Sequence, residues 1–159
     1  MAILIADRKE EQTMHSSLFI ANRFIDLATQ NGRQLTHMQV QKLVYFANAV
    51  TLANTGGDTS LIRESFFAYP FGPVEKRLYD RLRFFRRNPV RLITNIQEEE
   101  LTQEEANVIS SVYNTLGHMT AAELSRLSHV PGGPWDQIWN HTVEFEEIPN
   151  QLIADFYAS

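Results

Sequence analysis

Histidine, carboxylate, serine and cysteine patterns are where catalysis or metal binding would first show, and here they are sparse. Five histidines, His15, His37, His118, His129 and His141, occur, and no two of them are spaced i, i+3 or i, i+4. A metal site would therefore have to be assembled from distant segments, for instance His37 with His129. Cysteine is absent, which excludes thiolate nucleophiles, disulfides and Cys-ligated zinc or iron–sulfur centres. The chain contains no Gly-x-x-x-x-Gly-Lys loop, Gly-x-Gly-x-x-Gly turn, Gly-x-Ser-x-Gly elbow or His-Glu-x-x-His helix. Glu98, Glu99 and Glu100 sit just before an expected helix N-terminus, where the helix dipole accounts for them. The pattern points away from an enzyme, and implies neither cofactor nor metal.

The pronounced chemical feature is charge segregation. The chain has 159 residues and a net charge of −5. Its first 91 residues hold thirteen basic and eight acidic groups, and the remainder holds one basic and eleven acidic. Seven of the basic groups, Lys76, Arg77, Arg81, Arg83, Arg86, Arg87 and Arg91, fall in one short stretch. Such a stretch neutralises phosphates or acidic protein, or is a solvated face paired with the acidic second half. Residues 120–140 have a helix–turn–helix layout, but the second helix offers Trp135, Asp136, Trp139 and Asn140, with no cation to read a groove. A nucleic-acid-binding or transcriptional regulator is thus the alternative reading, and binding to protein is preferred.

The elements that position these residues are mostly helical. Ser16 or Ser17 caps a first helix to about Gln30, with Ala21, Phe24, Ile25 and Ala28 on one stripe. Thr36–Gln39, Thr102–Glu105 and Thr120–Glu123 are capping boxes, each opening a helix. The helix after Thr36 is apolar on most sides, with Gln41, Lys42 and Asn48 as exceptions, and so belongs at the centre of the fold. The aromatic segment around Phe66–Tyr69 reads as extended. Pro73 is expected to open a third helix running to about Arg87, carrying Val74, Leu78, Leu82 and Phe85 inward. Val90–Ile96 is expected to pair with 65–69 as a strand. Pro134 and Pro149 precede two more short helices, the last burying Leu152, Ile153 and Phe156. Residues 1–15 are expected to be a mobile lead, and 16–159 one domain. The expected class is mainly α: a compact single-domain bundle of about six or seven helices with at most a short two-stranded ribbon. No apolar run approaches the ~20 residues of a membrane span, and the absence of cysteine suits a cytoplasmic protein.

Three ordered segments resemble the Panacea domain of SocA-like antitoxins. They are Leu35–Ala47, containing Thr36, Gln41, Lys42 and Tyr45; Ala68–Val74, containing Tyr69, Gly72 and Pro73, with Tyr79 following; and Glu123–His129, containing Leu124, followed by Pro134 and Trp135. Tyr69, Phe71 and Ser128 stand where the family usually has tryptophan, tyrosine and threonine. The resemblance implies a helical domain, associated with phages and mobile elements, that neutralises a cognate protein toxin by direct contact. A protease or a second copy is a further possible partner. In that reading the contact surface is the arginine face of Arg77, Arg81, Arg83 and Arg87, with the aromatic edge of Phe66 and Phe67.

Overall fold

A computed structural model of the chain describes residues 14–139 and 145–158. Seven α-helices and a small sheet are present among them: α1 (Ser17–Gln30), α2 (His37–Asn54), β1 (Phe66–Tyr69), β2 (Gly72–Val74), α3 (Lys76–Leu82), α4 (Gln103–Leu116), α5 (Ala121–Ser128), α6 (Pro134–Trp139), β3 (Glu147–Ile148) and α7 (Asn150–Ala158). A 3₁₀ turn, Arg83–Phe85, continues α3. The mainly α class holds. The sheet has three strands rather than two, in the order β2-β1-β3, both pairings antiparallel.

The helix starts follow their caps. Ser16 accepts from Leu18 N, and the three threonine boxes are complete in both directions. Helix α2 lies at the centre, buried on most sides, with α1, α4 and α7 packed around it. Its side chains Val40, Leu43, Val44, Tyr45, Ala47 and Leu52 are fully buried. Each polar residue on this helix fixes a different piece of irregular chain. Asn48 Oδ1 accepts from Leu61 N at 2.8 Å and Ile62 N at 3.2 Å. Gln41 exchanges two hydrogen bonds with the backbone of Glu75, at 3.0 and 3.1 Å. Lys42 Nζ reaches Pro73 O at 3.5 Å.

Glu75 is buried and joins three helices. Its carboxylate caps α3, accepting from Arg77 N at 2.7 Å and Leu78 N at 3.1 Å, and it also accepts from the Ser17 hydroxyl of α1. Burial pushes this carboxyl above its ordinary range, while the bonds from Ser17 and Arg77 oppose the shift.

Several expectations are corrected. Helix α3 begins at Lys76, not Pro73, because Glu75 supplies the cap and Pro73 is in β2, where it pairs with Ala68. The helix ends at Leu82, since Arg86 takes a left-handed backbone (φ 56°) that no helix accommodates. Residues 90–96 are not a strand. Both sides of β1 are already occupied, and Val90 and Ile93 are instead buried beside Leu35 and Asn22 through hydrogen bonds at 2.8 and 2.7 Å. On α7, Ile153 and Ala154 are buried, whereas Leu152 and Phe156 are only half-buried.

The expected mobile lead covers residues 1–13, which lie outside the described residues, together with Met14 and His15. His15 is 2% exposed and is packed into the fold. Its ring contacts Glu99 Oε1 at 2.7 Å and Glu105 Oε1 at 2.9 Å. Burial opposes charging the ring, but the hydrogen bonds and charges of these two carboxylates prevail and raise its pKa. Glu99 therefore serves His15 and Ser16 N rather than the dipole of α4.

Replacing Glu75 by alanine removes the cap of α3 and leaves the Ser17 hydroxyl and two amides without partners. The expected loss is about 2–4 kcal/mol of unfolding free energy, measured by urea titration. Glu75→Gln, which keeps an acceptor in place, is expected to lose less.

Candidate functional site

The three motif segments meet where the β1–β2 turn passes between α2 and α5. Lys42 is 1% exposed, and its ammonium stem lies against Gly72 and under the Phe71 ring, 5.8 Å from the centroid. Burial lowers its pKa from 10.5 to about 7. Gly72 has φ 115°, and a Cβ there would stand 2.9 Å from Ser128 Oγ and 3.0 Å from Lys42 Cε. Only glycine satisfies both the dihedral and the close approach.

Helix α5 closes the other side. Ser125 Oγ donates to Phe71 O at 3.1 Å and lies 3.3 Å from His129 Nδ1. Burial, then the nearby charge of Lys42, lowers the His129 pKa, and its Nε2 has no hydrogen-bond partner among the described residues. Trp135 Nε1 donates to Tyr69 O at 2.7 Å. The same indole meets the His129 ring edge-on at 3.9 Å and stacks on Trp139 at 5.4 Å. Pro134 and Leu124 are buried beside it. No group of three or more metal-ligating side chains occurs among the described residues. The interior of this junction is a structural clasp rather than a substrate cavity.

Its outer surface is aromatic. Strand alternation places Phe66 and Ala68 inward and Phe67 and Tyr69 outward. Tyr69 lies 5.8 Å from Phe71, 5.9 Å from Tyr79 and 4.6 Å from Phe145, and Phe71 stacks on Tyr79 at 5.9 Å with 13° between the rings. His37 meets Tyr79 edge-on at 6.1 Å, and the Arg83 guanidinium lies 5.6 Å from the Tyr79 ring centre. Tyr69, Phe71 and Tyr79 are half-buried, and Phe145 is 49% exposed. Four rings thus share one accessible patch with an arginine at its border.

The residues expected to form the contact surface divide. Phe66 is fully buried, its ring edge-on to Tyr45 at 5.2 Å, so it is core and not an aromatic edge. Phe67 is half-exposed. Arg77 pairs with Glu64 at 3.4 Å, and Arg81 donates to Thr94 O at 2.8 Å. Arg83 and Arg87 are exposed. Among the described residues, no ion pair joins the basic stretch to the acidic second half. Thr36 is a helix cap, and Tyr45 is buried with its hydroxyl 3.5 Å from that of Tyr157. The Phe71 and Phe145 contributions to the patch were missed. Aromatic alternation at Phe67, Tyr69 and Phe71 was the available signal, whereas Phe145 is brought in by tertiary contact alone.

The comparisons with known proteins coincide with this geometry. A family model described as "Antitoxin SocA-like, Panacea domain" matches residues 40–136, which span the clasp and most of the aromatic patch. Antitoxin SocA of Caulobacter vibrioides (strain NA1000 / CB15N) is 33% identical over 134 residues, covering 76% of this chain and 69% of that protein. No solved structure matches the chain.

Two outcomes test the clasp. Between pH 7 and the ordinary lysine value the folded protein holds fewer protons than the unfolded chain, so Lys42 makes stability climb as pH rises through that window. Lys42→Met is expected to flatten this climb in melts at matched pH, relative to the unaltered chain. Gly72→Ala is expected to destabilise by roughly 1–3 kcal/mol, through the left-handed backbone and the contact with Lys42.

Proposed function

The chain belongs to the SocA-like Panacea domain family, and we propose that it neutralises a cognate protein toxin by direct contact through its aromatic patch. The observation that carries this reading is the partly exposed cluster of Tyr69, Phe71, Tyr79 and Phe145 with Arg83 at its edge. Aromatic and arginine side chains dominate binding energetics because each buries much area at small entropic cost and keeps a polar handle. The patch is also held firmly. Tyr69 is fixed through its carbonyl by Trp135, and Phe71 through its carbonyl by Ser125. Rings that are already ordered lose little freedom on binding.

The clasp and the patch make one device. Motif residues Gln41, Lys42, Gly72, Pro73, His129 and Trp135 form its support, and Tyr69 and Tyr79 form its face. Phe67, on the outward side of β1, extends that face. In this reading the activity is binding rather than catalysis, because Gln41, Lys42, Ser125 and Trp135 of the clasp are engaged in holding backbone.

Co-expression with the cognate toxin tests this. Tyr69→Ala combined with Tyr79→Ala is expected to weaken toxin binding about tenfold or more and to abolish protection of growth, while the melting temperature shows the domain still folded. Full protection by the folded double variant would overturn the assignment of this patch.

A further inference from the structure

A second surface lies at the far end of α3 and has no part in the clasp. The chain there makes two tight turns, with Arg86 N bonded to Arg83 O at 3.1 Å and Asn88 N to Phe85 O at 2.9 Å. Arg86 sits at φ 56°, a strained backbone for a long side chain. Phe84 projects from the tip, 81% exposed, the most exposed large apolar side chain among the described residues. Water contact with a whole phenyl ring is unfavourable, and nothing in the fold relieves it.

Four exposed arginines flank Phe84 in the sequence, against one exposed carboxylate, Asp80, four residues before it. Arg83, Arg86, Arg87 and Arg91 are all exposed, and none has a carboxylate at ion-pair distance among the described residues. This distinguishes them from Arg77 and Arg81, which are bonded within the fold. Behind the tip is a surface groove of about 420 Å³ lined by Gln34, Phe85, Asn88, Pro89, Val90 and Arg91. Its walls combine apolar carbon with two amides and the guanidinium of Arg91.

We infer that this tip and groove form a docking site for an acidic peptide segment that carries one large apolar residue. The carboxylates pair with the guanidinium groups, which offer fixed bidentate geometry. The apolar residue packs against Phe84 and enters the groove, which removes the exposed ring from water. Charge complementarity chooses this occupant over an apolar one. A nucleic-acid duplex is disfavoured by number: a salt-sensitive duplex binder makes roughly six to ten phosphate contacts, and the tip offers four exposed arginines, one of them over the Tyr79 ring. The site meets the patch assigned to the toxin only at Arg83, which stands at the edge of both, and its occupancy does not depend on that assignment.

Fluorescence anisotropy with the full chain tests the site. The probes are a labelled peptide of glutamates around a central phenylalanine, the same peptide with serine at its centre, and a labelled DNA duplex. The phenylalanine peptide is expected to bind at least about tenfold tighter than the serine peptide, and to weaken between about 50 mM and about 300 mM salt. Phe84→Ser, or Arg87→Glu with Arg91→Glu, is expected to abolish this binding without moving the melting temperature. Tyr69→Ala and Arg126→Glu are expected to leave it unchanged, so a failure here is distinguishable from a failure of the toxin patch. No peptide binding, binding indifferent to Phe84→Ser, or tighter binding of the duplex would each overturn the proposal. Dimerisation abolished by Phe84→Ser, with no peptide bound, would overturn it in favour of a second copy of the chain.

Discussion

The fold depends on burying one helix on almost every side while giving its few polar side chains backbone partners, with Asn48 Nδ2 left unpaired among the described residues. Helix α2 places Gln41, Lys42 and Asn48 in the interior, where an unpartnered polar group is costly. Each is used to hold irregular chain: Gln41 holds the backbone of Glu75, Lys42 reaches the carbonyl of Pro73, and Asn48 holds Leu61 and Ile62. The polar residues of the central helix thus define where the hairpin and α3 lie. Glu75 then transmits the constraint outward, since it caps α3 and takes the hydroxyl of Ser17 from α1. A helix interrupted by polar side chains becomes a template because those side chains need backbone partners.

The aromatic patch inherits its rigidity from this arrangement. Phe71 lies over Lys42, and the carbonyls of Tyr69 and Phe71 are bonded to Trp135 and Ser125. Stacking of Tyr79 on Phe71 ties the first turn of α3 to the hairpin. Binding surfaces built on strand and helix hold their side chains closer to the bound geometry than surfaces built on loops. The cost sits inside: a lysine whose charge is disfavoured by burial, and a histidine nitrogen with no partner among the described residues.

Charge segregation has a different meaning in three dimensions from the one read along the chain. Among the described residues the basic stretch forms no ion pair with the acidic second half. Arg77 and Arg81 are bonded to Glu64 and Thr94, near neighbours of α3, whereas four arginines beyond Leu82 face solvent around Phe84. Glu99, which a linear reading assigns to a helix dipole, meets His15 instead, and Glu105 both completes its capping box and meets the same ring. That interaction ties the chain before α1 to the start of α4.

Helix positions, capping boxes, the central placement of α2 and the family motifs were all legible in the sequence. These signals are local, since a threonine cap and its partner are three residues apart and a stripe repeats every turn. The bonding of Gln41 and Lys42 to backbone was legible for the same reason, as polar residues on a buried helix must find partners. Strand pairing was not, because the identity of the neighbour is fixed by which segments reach β1 first in space, and β3 is about eighty residues away in sequence from β1. Nor could the sequence separate Phe66 from Phe67: the strand phase that buries one and exposes the other depends on which side the core lies. The aromatic patch, the His15 carboxylate pair and the bare Phe84 are products of distant segments meeting, or failing to meet. Local chemistry therefore determined the elements and the family, and long-range packing alone decided which of their side chains are free to bind.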